Sequence, residues 1–161
     1  MLTREYLEEY LDHFNNKRYG DVVSYFADDV EVRYYTDWSL KLKAPQRILH
    51  GRDAFVANYE ALHQHCDEKL RLGVFLAREG SLFVELYTSF TALHDTDTMR
   101  CGFMKKGETM YVNHFINYIL NEKDQFRIIM IAQCQTLDPK DATVWNPVTK
   151  SFDPPGTIHD F

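Results

Sequence analysis

A carboxylate flanked by aliphatic residues in mid-strand costs free energy to bury, and Glu85 stands in that position, between Val84 and Leu86. Facing a cavity, it would have a raised pKa and be suited to taking and returning a proton near neutral pH. Facing solvent or a subunit interface, it would pair with a base such as Arg33. Asp37, His13, His94 and His114 are further candidates for proton transfer. His13 follows Tyr10 by one helical turn along the same side, so both could reach one pocket mouth.

Other groupings invite a metal and do not sustain it. His63, His65 and Cys66 are close in sequence, but residues two apart on a helix point in nearly opposite directions, so only His63 and Cys66 share a face. His94, Asp95 and Asp97 read as a solvated turn. No GxGxxG, P-loop or GxSxG occurs, which leaves hydride transfer, nucleotide hydrolysis and hydrolase-elbow chemistry without support. We expect neither metal nor cofactor.

Aromatic residues make up 14% of the chain, enough to suggest more than a filled core. Tyr10, Tyr34, Tyr35, Trp38, Tyr59, Tyr87 and Tyr111 could line a cavity for a flat ligand, offering stacking faces and hydroxyls, or could simply pack inside. Tyr34, Trp38, Tyr87, Asn113 and Arg33 are the candidate substrate contacts.

Helices and strands must position these groups. Tyr6, Leu7, Tyr10, Leu11 and Phe14 form the stripe of an amphipathic helix capped by Thr3. A shorter helix covers Gly20 to Phe26, a strand runs from Val30 to Tyr35, and Asp37 to Arg47 is a loop. The helix opened by Gly51, with Asp53 as its cap, carries Phe55, Val56, Tyr59 and Leu62 up to about His65. From Lys69 the hydrophobic period drops to two, and four strands follow: Leu70 to Ala77, Leu82 to Leu93, Met110 to Leu120 and Phe126 to Gln135. The order argues for an α+β fold with helices packed on one face of a curved, mainly antiparallel sheet.

If Lys123 and Asp124 form a two-residue hairpin loop, His114 opposes Gln133, Ile116 opposes Ile131 and Tyr118 opposes Ile129 on one face. The other face pairs Asn113 with Cys134, Phe115 with Ala132 and Asn117 with Met130. This second face is apolar enough to be a core or pocket wall. Asn113 and Asn117 would bring amides into it, and buried amides demand partners. If the first face, with His114, is the outer one, it builds a polar dimer interface; otherwise His114 is a candidate for proton transfer.

The 161 residues suffice for one domain and exclude large multidomain enzymes. A net charge of −6 with scattered bases argues against nucleic-acid binding, and no apolar run approaches the ~20 residues of a membrane span. Three dispersed cysteines fit a reducing cytoplasm. Residues 1–137 form the domain. Residues 138–161, rich in proline, are expected to form an ordered tail, with Trp145, Phe152 and Phe161 as candidate anchors on its own domain or on a partner subunit.

The stretches Tyr10-Leu-Asp-His-Phe-Asn-Asn-Lys, Tyr25-Phe-Ala-Asp-Asp-Val-Glu-Val, Gly51-Arg-Asp-Ala-Phe-Val and Phe115 to Ile128 together resemble the NTF2-like superfamily, and within it the SnoaL-like cyclases, isomerases and dehydratases. The resemblance implies a cone with a pocket between the first helix and the sheet, and a homodimer. Comparison with ketosteroid isomerases, another branch, aligns Tyr10 with an oxyanion-hole tyrosine and Asn117 with a second donor. That branch's basic carboxylate corresponds here to Tyr34, a poor base, so the base must come from elsewhere.

The expected protein is a cytoplasmic enzyme without cofactor that isomerises, cyclises or dehydrates a small carbonyl compound of polyketide or alkaloid type. Tyr10 and Asn117 would hold the oxyanion, and Glu85 or His13 would move the proton. The alternatives are a noncatalytic dimeric ligand-binding or adaptor module, and an epoxide hydrolase using Asp37 or Glu85 with Arg33.

Overall fold

A computed structural model describes residues 2–35, 45–99, 103–137, 145–146 and 151–152. Helix α1 (Arg4–Asn15) begins where the Thr3 hydroxyl accepts the Tyr6 backbone N–H at 3.3 Å, and it buries Leu7, Tyr10, Leu11 and Phe14. A turn at Lys17, with φ of 58°, leads into the short helix α2 (Tyr19–Ser24). Strand β1 (Phe26–Tyr35) starts four residues earlier than hydrophobicity suggests, because Asp28 and Asp29 are exposed strand residues rather than a loop.

A strand that the sequence conceals, β2 (Arg47–His50), follows the undescribed residues 36–44. It leads into α3 (Gly51–Leu62), whose N-cap is His50. Asp53 is therefore not the cap; it lies in the first turn, where its charge complements the helix dipole. Strands β3 (Cys66–Arg78), β4 (Ser81–Ala92), β5 (Thr109–Leu120) and β6 (Phe126–Leu137) form an antiparallel meander. β6 then pairs in parallel with β1, giving the sheet order β2-β1-β6-β5-β4-β3. Of the tail, only a two-stranded ribbon is described, β7 (Trp145–Asn146) with β8 (Ser151–Phe152). Its expected anchoring otherwise falls outside the described residues.

The β5–β6 register is as expected for His114 with Gln133, Ile116 with Ile131, and Tyr118 with Ile129. The turn itself is longer than two residues. Asn121 N–H bonds to the Gln125 carbonyl at 2.9 Å, its side-chain oxygen accepts from two turn amides, and a bulge between Ile119 and Leu120 absorbs the difference. A second bulge shifts Asn113 opposite Gln135 instead of Cys134.

The assignment of faces is reversed from expectation. α1 and α3 cover the face bearing Leu82, Val84, Leu86, Ile116, Tyr118 and Ile129, and all six are buried there. The face with Asn113, Phe115, Asn117 and Met130 points away from the helices. Rings cross-link the covered side: Phe26 meets Phe55 at 4.8 Å, and Tyr118 meets Phe126 at 4.5 Å.

Candidate functional site

Between the helices and the covered sheet face lies a cavity of about 280 Å³. Its walls are mainly apolar, with Phe14, Phe55, Leu86, Phe90, Met110 and Ile116 among them. Five tyrosines, Tyr10, Tyr34, Tyr35, Tyr59 and Tyr118, also line it, together with Glu68, His114, Gln133, Asn58 and Arg47. Among the described residues, Glu68 is the one carboxylate in this wall.

Glu68 faces inward because β3 alternates: Cys66, Glu68 and Leu72 are buried at 0%, 5% and 9% exposure on the helix-covered side. The end of α1 docks onto this edge strand. Asn15 clasps the Leu70 backbone through both its N–H and its carbonyl, at 2.7 and 2.9 Å, and Lys17 donates to the Glu68 backbone carbonyl. Lys17 also pairs with Asp67 at 3.3 Å, so its cation does not bond the Glu68 carboxylate directly.

That carboxylate is bonded instead to His63, the C-terminal cap of α3, with 2.9 Å between Oε2 and Nε2. Nδ1 of the same ring meets the hydroxyl of Tyr19, whose ring stacks on it at 5.9 Å and 15°. An ionised carboxylate only accepts, so Nε2 carries the proton. With only that proton on the ring, Nδ1 accepts from the Tyr19 hydroxyl. Burial pushes the Glu68 carboxyl above its ordinary 4.5, and the hydrogen bond from His63 opposes the shift without cancelling it.

Four of these phenols are shifted in the sense that keeps them protonated. Burial pushes Tyr10 and Tyr59 well above the ordinary 10.0, with neighbouring Tyr118 and Tyr34 respectively adding to it. Tyr118 and Tyr34 are raised by burial too, and the Tyr34 and Tyr59 hydroxyls are hydrogen-bonded at 3.1 Å. These groups are donors at neutral pH, not bases. Arg47 lies over the Tyr34 ring at 4.4 Å, and His114 bonds the buried Thr88 hydroxyl at 2.9 Å.

Of the residues singled out in the sequence, Tyr10, Tyr34, Tyr35 and Tyr59 line the cavity, as does His114. Glu85 and Tyr87 are on the far face with Asn113 and Asn117. There Asn113 Nδ2 donates to Glu85 Oε1 at 2.7 Å, and Arg71 lies over the Tyr87 ring at 5.9 Å. The reason is the strand parity already described: odd-numbered residues of β4 and β5 point away from α1 and α3. His13 sits among Glu9, Arg18 and Asp21 at the helix surface, and Arg33 bonds Glu31 at 2.9 Å. His94 pairs with His65 at 3.2 Å on the β4–β5 loop. Trp38 and Asp37 lie outside the described residues. Among the described residues no group of three or more His, Cys, Asp or Glu could hold a metal, and no helix is long and apolar enough to cross a membrane.

Sequence reasoning missed Glu68, Tyr118 as a cavity residue, and the partnership of His63 with a carboxylate. Extending the period-two pattern of β3 back through Cys66 and Glu68 was the signal available.

No protein-family model and no curated protein sequence matches the chain. Solved structures do. A SnoaL-like polyketide cyclase from Agrobacterium tumefaciens is 13% identical, covers 84% of this chain and 94% of its own, and superposes with a TM-score of 0.60. SalBIII, an epoxide hydrolase/cyclase-like enzyme in pyran ring formation in the polyether salinomycin, is 14% identical over 81% of this chain and 88% of its own, TM-score 0.61. An NTF2-like protein of unknown function from Burkholderia pseudomallei gives 14%, 78%, 85% and 0.59 for the same quantities. The chain has the NTF2-like fold.

Proposed function

We propose that this protein catalyses an acid–base rearrangement of a small, largely apolar carbonyl compound of polyketide type, a ring closure, isomerisation or dehydration, with Glu68 as general base. The observation that carries the reading is a buried carboxylate, bonded to an imidazole, in the wall of a mainly apolar cavity ringed by protonated phenols. A raised pKa strengthens Glu68 as a base toward a carbon acid. The C–H bond α to the carbonyl breaks, its proton passes to Glu68, and the electron pair moves onto the carbonyl oxygen. Tyr10, with Tyr118 or Tyr34 beside it, donates to that oxygen as charge develops. Returning the proton to another carbon isomerises the ligand. Attack by the enolate carbon on a second carbonyl closes a ring, and loss of a β-hydroxyl, protonated by Glu68, dehydrates it. The likeness to a SnoaL-like polyketide cyclase supports this class of chemistry.

The likeness to SalBIII favours a second reading. In it Glu68 takes the proton of a substrate hydroxyl as that oxygen opens an epoxide, and a phenol protonates the departing epoxide oxygen.

A panel of cyclic ketones in D2O, followed by proton NMR, tests the first reading. Wild-type protein should exchange α-protons, Glu68→Gln should do so roughly 10²-fold more slowly, and Glu85→Gln should match wild type. Equal exchange by wild type and Glu68→Gln would overturn it.

A further inference from the structure

The hydrogen bonds of Glu68 do not end at His63. They run through the imidazole to the Tyr19 hydroxyl, which is absent from the cavity wall and belongs to a half-buried residue on α2. From this geometry we infer that His63 and Tyr19 form a proton exit, through which Glu68 trades a substrate-derived proton with solvent while the cavity is still filled. The inference rests on Glu68 being the base.

The chain has two complete hydrogen-bonding states. With Glu68 ionised, Tyr19 donates to Nδ1 and Nε2–H donates to the carboxylate. With Glu68 protonated, the carboxyl donates to Nε2, Nδ1–H donates to the Tyr19 oxygen, and the phenol donates to water. Passing from the second state to the first moves one proton at each link: phenol to water, Nδ1 to phenol, carboxyl to Nε2. One proton leaves, no charge is stranded, and the end state is the resting arrangement. Imidazole is suited to this because its two nitrogens accept and release on opposite sides of one ring.

The surroundings keep the chain from being short-circuited. Lys17 and Lys69 are held by backbone carbonyls and by Asp67, and the Cys66 thiol, pushed up to about 12 by burial, stays protonated. Tyr34, Tyr59 and Tyr10 on the cavity side are held protonated by burial, and Tyr19 itself is raised to about 12, so it conducts a proton without residing as an anion. His63 and Tyr19 are positioning and relay groups; neither lines the cavity.

The test uses cyclohex-3-enone in D2O, whose conjugation requires the base to take an α-proton and return a proton at the γ-carbon. The readout is the deuterium content of the product at that carbon. Wild type should give product labelled mainly from solvent. Tyr19→Phe, which deletes one hydroxyl, and His63→Gln, which can still donate to Glu68 but cannot relay, should return mainly the substrate's own protium, lowering the label roughly threefold or more. Isotope content is read per molecule of product, so a less folded variant still answers. Label unchanged in both variants, or a wild-type product retaining protium, overturns the relay and leaves the base standing. Absence of conjugation by wild type, or its persistence in Glu68→Gln, overturns the base reading and the relay with it.

Discussion

Nε2 of His63 stands 2.9 Å from Oε2 of Glu68, and each side chain is 6% exposed. A carboxylate held this deep by a hydrogen bond is a poor way to stabilise a fold, since apolar residues of the same volume would serve as well or better. Its presence beside a cavity points to chemistry, and it leaves a thermodynamic trace.

That trace is a stability penalty at high pH. The folded-state pKa of Glu68 is raised above 4.5, so between that value and the raised one the native protein holds a proton that the unfolded chain has lost. Stability from this group therefore falls as pH rises through the window, and the penalty is complete above it. Glu68→Gln should melt higher than wild type at neutral and alkaline pH, with the gap closing toward about pH 4. Melting curves across that range that show the variant progressively less stable than wild type at higher pH would refute the assignment.

Tyr10→Phe removes one hydroxyl from the cavity wall and nothing else. If that hydroxyl meets developing charge, kcat should drop roughly 10-fold to 10²-fold with KM nearly constant. The cost in stability should be about 1 kcal/mol. A change confined to KM would make Tyr10 a binding contact without a role in the chemical step.

Gly73 is confined by the far-face cluster. A Cβ there would lie 2.8 Å from the Tyr87 ring and 3.3 Å from the Glu85 backbone carbonyl. Gly73→Ala should therefore lose about 1–3 kcal/mol in urea unfolding, and combining it with Tyr87→Leu should recover part of the loss. Additive losses in the double variant would show that the ring is not the obstacle.

The elements were legible because periodicity reports burial, and the helix of Leu7, Tyr10, Leu11 and Phe14 and the four-strand meander carry it plainly. What strand sequence does not carry is which face the helices cover. Met130, Ala132 and Cys134 made one face of β6 look like a core, whereas His114, Gln133 and Tyr118 made the true cavity wall look like an outer surface. A wall built to hold a ligand needs polar groups, so hydrophobicity misleads at the very strands that matter. Glu68 was hidden for a related reason: between Asp67 and Lys69 it reads as part of a charged turn, until Cys66 and Leu70 are seen to share its side. β2 was invisible because Arg47–His50 is short and largely exposed.

The first strand of the chain lies beside the last long one, Tyr34 against Ile131, in the parallel pair that completes the sheet. During synthesis β1 emerges early and must wait, one edge unpaired, until nearly the whole domain has left the ribosome. Loop-closure entropy over so long a separation makes this pairing slow and late. Both residues also line the cavity. The binding chamber is thus assembled at the end of folding, and a nascent or truncated chain lacking β6 would have the acid, the imidazole and every one of the phenols but no enclosed space in which to use them.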